Sequence, residues 1–97
     1  MNVLIVHTDG KIPVFAYGGT QRDIWAEGKE LVNMGHQVTY LVAKGSRCPF
    51  ANIIFYNSSK TLVEQIPENI DIMHYHGPLY KEPDNIPYLS TIHGNRW

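Results

Sequence analysis

Residues 3–6, Val-Leu-Ile-Val, form an unbroken apolar run, and Gln37 to Ala43 carries another, Val-Thr-Tyr-Leu-Val-Ala. Runs rich in β-branched residues and free of polar alternation suit strands buried on both faces of a parallel sheet. Parallel neighbours need a long crossover, and the intervening segment supplies one. From about Gln21 to Met34 a helical face carries Ile24, Gly28, Leu31 and Gly35, with Trp25 and Val32 alongside. Arg22, Lys29, Glu30 and Asn33 lie on the polar side. Gly28 inside a helix costs roughly 1 kcal/mol against Ala, so close packing against a strand is its expected reason. Gly35 is suited to the residue just past the helix end. Strand, helix and strand in this order make one βαβ unit, and they commit the chain to an α/β fold.

The turn into the helix is Ala16-Tyr17-Gly18-Gly19-Thr20-Gln21-Arg22. Two glycines let the backbone bend sharply and approach a ligand, since no Cβ intervenes. Thr20 is the expected N-cap, with Asp23 in an acidic variant of the capping box. Unpaired N–H groups at such a helix start favour an anion, typically a phosphate. The alternative is a connector that only reverses the chain, because the fuller G-x-G-x-x-G pattern is absent. Arg22 is placed either to reach a phosphate or to pair with Asp23 or Glu27.

Lys11 to Tyr17 and Lys44 to Pro49 read as loops. Asn52 to Tyr56 is a third strand, and Ser58 or Ser59 is expected to cap a short helix through Leu62, Val63 and Ile66 that Pro67 closes. Ile70 to His76 is a fourth strand, and Pro87 to Ile92 is a fifth. Between them Gly77 to Ile86 is an irregular connector containing Pro78 and Pro83. The expected architecture is one Rossmann-like domain over residues 1–97, a doubly wound, mostly parallel sheet of about five strands.

A net charge of −1 gives no sign of nucleic-acid binding or of strong attraction to anionic lipid. A single cysteine, Cys48, allows no internal disulfide, so a reducing, cytoplasmic setting is expected. No apolar run reaches the roughly 20 residues that cross a bilayer, and Met1-Asn2-Val3-Leu4 lacks the basic start of a signal peptide.

Ligands of open parallel sheets bind at the carboxyl ends of strands, where strand order reverses. If the first and fourth strands are neighbours there, His7 and Thr8, the Gly18-Gly19 turn, His76-Gly77 and His93-Gly94 converge on one cleft. His93, flanked by Gly94, is the expected catalytic residue, since a neutral imidazole both donates and accepts near neutral pH. His74 and His76 point to one face of their strand, and His7 and His93 could add nitrogen ligands for zinc. The chain has no H-E-x-x-H pattern and no second cysteine, so no metal is expected. His74 is read as a hydrogen-bonded core residue, His36 as structural at the opposite edge, and Trp25 as core.

Three stretches carry a resemblance. Tyr17-Gly18-Gly19-Thr20-Gln21-Arg22 is similar to a Y-G-G-T-E-R turn, with Gln21 where Glu is usual, and Gly35-His36-Gln37-Val38-Thr39 is similar to G-H-E-V-T. Asp71-Ile72-Met73-His74-Tyr75-His76-Gly77 and Thr91-Ile92-His93-Gly94 are similar to D-I-V-H-x-H-G and T-x-H-G. In this order they resemble the N-terminal domain of GT-B-fold glycosyltransferases of the retaining, family 4-like group. The resemblance implies transfer of a sugar from a nucleotide-sugar to a glycan or lipid acceptor, without metal or other cofactor and with retained anomeric configuration. His93 would position the donor sugar. Gly18, Gly19, Thr20, His76 and Gly94 would face the phosphates or the acceptor, and the protein could sit at the inner membrane face.

The Gly77–Ile86 connector is shorter than the family's helical crossover, and the sequence ends at Trp97, before the family's second, donor-binding domain. The isolated chain is therefore expected to show no useful turnover, since catalysis needs groups on both sides of the reacting atoms. Apolar surface left by a missing neighbour favours a homodimer or swapped assembly. The competing readings are a non-catalytic α/β binding or interaction module, a nicotinamide-binding Rossmann domain, and a small metal-dependent hydrolase. The nicotinamide reading lacks both the glycine fingerprint and an acidic residue ending strand two.

Overall fold

The computed structural model describes residues 1–7, 19–76 and 86–91, and the side chains of residues 19–22 are not among those described. Five strands, β1 (Asn2–His7), β2 (Gln37–Val42), β3 (Asn52–Phe55), β4 (Ile72–His76) and β5 (Tyr88–Thr91), form one sheet in the order β3-β2-β1-β4-β5. Every pairing is parallel, with Ile5 opposite Tyr40 on one side and His74 on the other. The chain builds outward from β1 to β3, then returns to the far side of β1 with β4. The strand order thus reverses between β1 and β4, as in a Rossmann-like fold.

β1 is the centre of this sheet, and its composition follows from that place. Alternating side chains point to opposite faces, so both parities must be apolar. Val3 and Ile5 pack with Ile24, Val38, Tyr40 and Val42 under the helix α1 (Gly19–Asn33). Leu4 and Val6 pack with Leu41, Ile70 and Met73 on the other face, covered by Tyr56, Leu62 and Ile66 from the β3–β4 connection. Asn2 ties the start of β1 to the entry of β4, its N–H donating to Asp71 Oδ2 at 2.7 Å and its side-chain amide to the Asn69 carbonyl at 2.8 Å.

α1 begins at Gly19, so Thr20 lies within the first helical turn and does not hold the expected cap position. Its C-terminus closes as the glycine predicts. Gly35 adopts a φ of 95°, its N–H donating to the Val32 carbonyl, while the His36 N–H reaches back to Leu31. This is the Schellman arrangement, which satisfies carbonyls that a helix end otherwise leaves unpaired. Trp25 is half-buried and meets Phe50 edge to face, with ring centroids 5.0 Å apart.

The short helix expected between β3 and β4 is reduced to a single 3-10 turn at Val63–Gln65. Neither Ser58 nor Ser59 caps it: Leu62 holds the N-cap position without a side-chain cap, and the polar pair beside it is Thr61 and Glu64. The Thr61 N–H and hydroxyl both donate to Glu64 Oε1, and the Glu64 N–H returns to Thr61 Oγ1. The fourth strand starts at Ile72 instead of Ile70, because Asp71 is engaged with Asn2. Among the described residues no helix is long and apolar enough to cross a membrane.

Gly28 explains how α1 lies on the sheet. It faces Tyr40, whose buried hydroxyl donates to the Ile24 carbonyl at 2.8 Å. A Cβ at position 28 would overlap that hydroxyl and stand 2.6 Å from the ring carbon bearing it. Gly28→Ala gains helix propensity of roughly 1 kcal/mol but overpacks the interface, which typically costs about 1–3 kcal/mol. Urea denaturation is expected to show a net loss of stability, smaller in a Tyr40→Phe background; a stabilised Gly28→Ala protein would contradict this seating.

Cys48, in the β2–β3 loop, packs against the α1 side of the core. Burial pushes its thiol above the ordinary value of 9.0, while the Phe50 and Ala51 N–H groups pull weakly the other way. The thiolate is the reactive form, so its population at neutral pH is lowered and rises only at more alkaline pH. Iodoacetamide labelling of folded protein should show a pH profile displaced upward from that of the urea-unfolded chain. Coincident profiles would contradict the burial.

Candidate functional site

The carboxyl ends of β1, β4 and β5 lie on one edge of the sheet, as their parallel registers require. His7 ends β1 and is buried; it shares the helix-covered face with Ile72, His74 and His76 of β4. The switch in strand order falls between these two strands, so their terminal histidines flank the crevice where open α/β sheets bind ligands.

Just inside this edge, Glu27 of α1 bridges two imidazoles, one carboxylate oxygen to each ring. The two rings of β4 are adjacent and tilted, with centroids 4.1 Å apart and planes inclined by 34°. His74 Nδ1 is 2.5 Å from Glu27 Oε2, and His76 Nε2 is 3.0 Å from Glu27 Oε1. An ionised carboxylate only accepts hydrogen bonds, so both of these ring nitrogens carry hydrogen. The other nitrogen of His74 is 2.7 Å from Thr91 Oγ1, which donates to it when the ring is neutral. His76 is almost enclosed, with 5% of its side chain exposed, against 15% for His74 and 30% for Glu27. The site therefore opens on the carboxylate side.

Burial by itself would raise the Glu27 carboxyl, but the hydrogen bonds of His76 and His74, aided by their charge, outweigh it and hold the group below its ordinary value. The arrangement is a carboxylate that orients two imidazoles, one of them held at both nitrogens. Such a cluster can fix a tautomer, move a proton along Glu27, His74 and Thr91, or ligate a cation.

Of the residues expected at the site, His76 stands in this cluster and Gly19 opens α1. Thr20 is in the first turn of α1, and its side chain lies outside the described residues. Gly18, His93, Gly94 and Thr8 lie outside the described residues as well. His74 is hydrogen-bonded, as expected, to Glu27 of α1 and Thr91 of β5. His36 is at the opposite edge, its Nδ1 3.2 Å from the amino terminus of Met1. A cleft of about 510 Å³ also lies at that edge, lined by Val32, His36, Phe50 and Asn52 among others. It is shallow and brings no acid–base pair together.

Glu27 is the residue the sequence reading missed. Its signal was present: it stands three residues after Ile24 and beside Gly28, on the face of α1 that meets the sheet. A carboxylate at that place requires polar partners below it, and His74-x-His76 is the polar pair available on the strands.

Compared with protein-family models, curated proteins and solved structures, the chain matches none. The site is read from its own geometry.

Replacing Glu27 by Ala removes the acceptor for both rings and leaves partly buried N–H groups unsatisfied, a loss of about 1–3 kcal/mol. Thermal denaturation should show it, with Glu27→Gln less affected because one amide oxygen still accepts. An unchanged melting temperature in Glu27→Ala would mean that the hydrogen bonds do not stabilise the fold.

Proposed function

We propose that this chain is the acceptor-side domain of a GT-B-type glycosyltransferase. The single observation that carries the reading is the pairing of His76 with Thr91 at the ends of β4 and β5. It means that β4 and β5 end side by side at His76 and Thr91, at the edge where α1 begins. The described ends of the two strand-end stretches, His76 and Thr91, thus lie at one edge beside the reversal of strand order, which supports the reading.

In this reading Gly18, Gly19 and Thr20 face the phosphates of the nucleotide-sugar or the acceptor, and His76 and Gly94 line the acceptor side. His93 holds the donor sugar by hydrogen bonding. The acceptor oxygen forms the new bond to the anomeric carbon as the bond from that carbon to the phosphate oxygen breaks. The acceptor proton passes to the departing phosphate. A second domain of the family's kind supplies the remaining donor contacts, so turnover depends on both.

The test is an NMR titration of the ¹⁵N-labelled chain with a panel of nucleotide-hexoses and glycan acceptors, followed by addition of a donor-binding domain of this enzyme class. Saturable shifts are expected at Gly19, His76 and Thr91. Loss of a hydrogen bond worth about 1.4 kcal/mol should make binding to His93→Ala about tenfold weaker. Shifts confined to the opposite edge, or none with any sugar ligand, would overturn the proposal and favour a non-catalytic interaction module.

A further inference from the structure

We propose that Glu27, His74 and His76 form a binding site for a zinc-type divalent cation. The inference goes beyond the sugar-transfer reading and does not depend on it. Three potential ligand atoms, His74 Nδ1, His76 Nε2 and a Glu27 carboxylate oxygen, lie within 4.8 Å of one another. Zinc binds imidazole nitrogen at about 2.0–2.1 Å and carboxylate oxygen at about 2.0–2.2 Å. Ligands around a tetrahedral ion of that size stand roughly 3.3 Å apart. Each ring nitrogen now meets a different oxygen of Glu27, at 2.5 Å for Oε2 and 3.0 Å for Oε1, so the carboxylate already stands between the two nitrogen donors where a cation would sit.

The donor set selects the ion. Two imidazoles and one carboxylate suit zinc and its transition-metal neighbours, whereas magnesium and calcium prefer sites built of oxygen. Thr91 supplies a second, independent indication. Metal-bound histidines characteristically hold their other ring nitrogen in a hydrogen bond, and His74 Nε2 already lies 2.7 Å from Thr91 Oγ1. When Nδ1 gives its lone pair to the cation, Nε2 carries the hydrogen and donates to Thr91 instead of accepting from it. The hydroxyl serves either state by rotating.

Only three protein ligands converge among the described residues, and the most exposed of them is Glu27. The remaining position of a four-coordinate ion is filled by a ligand other than these three side chains. With neutral imidazoles, a divalent ion and one carboxylate leave a net positive site, which favours an anionic oxygen there.

The test is titration of the full chain with ZnCl₂ by calorimetry in a non-chelating buffer, together with Co²⁺ absorption spectroscopy. One equivalent should bind, with visible cobalt bands of a four- or five-coordinate nitrogen–oxygen site. His74→Gln and His76→Gln should each abolish that binding, and Thr91→Val should weaken it 10- to 100-fold. His36→Gln and Cys48→Ser should leave it unchanged. If the histidine variants do not fold, the wild type decides alone: zinc must shift the ring ¹⁵N signals of both His74 and His76. Failure to bind zinc, binding that survives both histidine substitutions, or ring signals that do not move would overturn the site. Sugar-ligand titrations play no part in this outcome, so either reading can fail without the other.

Discussion

The distance between α1 and the sheet governs the rest of the molecule. A helix lies close to a strand only where nothing intervenes, and at Gly28 nothing does. The Tyr40 ring fills the place a Cβ would take, and its hydroxyl donates to the Ile24 carbonyl at 2.8 Å. This one contact fixes the height of the helix over β2. It also sets its rotation, because the Ile24 carbonyl and the glycine must both face Tyr40. Glu27, next to Gly28 in the chain, is thereby carried over β4. A helix standing further out would leave its carboxylate short of His74 and His76.

The sheet completes the arrangement from below. Parallel pairing brings β4 against β1 and β5 against β4 with their carboxyl ends together. His74 and His76 share a face because strand side chains alternate, and the register brings Thr91 within 2.7 Å of His74. Four polar side chains from three elements therefore meet at one end of the sheet. Isolated burial of any one of them would be costly; together they satisfy one another. The concentration of polar groups at this edge contrasts with the Leu4, Val6, Leu41 and Met73 face, against which Ile54, Leu62, Ile66 and Ile86 pack.

Much of this was legible in the residues themselves. The apolar runs at 3–6 and 38–43 identified the two central strands, because only a strand buried on both faces lacks alternation. Gly28 and Gly35 were readable for a similar reason, each marking a place where a Cβ would be strained or crowded. The connection between β3 and β4 was less so. Leu62, Val63 and Ile66 have helical spacing, yet packing on Leu41 and Met73 needs only a turn, and Thr61 with Glu64 closes it. Thr20 was misplaced by one turn position because two successive glycines leave the helix start undetermined by side-chain chemistry. Glu27 was overlooked since helical periodicity ranks residues by polarity, and a carboxylate on the sheet-facing side is invisible until its partners on another element are known.

The central claim, that the seating of α1 on Tyr40 positions Glu27 over the two imidazoles, is tested most directly by two-bond ¹H–¹⁵N spectra of the histidine rings in wild-type and Gly28→Ala protein. The nearest neighbours of a Cβ at Gly28 are atoms of Tyr40, so the substitution acts on the helix seating and not on the rings directly. Displaced ring-nitrogen signals for both His74 and His76, toward the values of rings freed from a carboxylate, are the result this account predicts. Ring signals identical in the two folded proteins would contradict it.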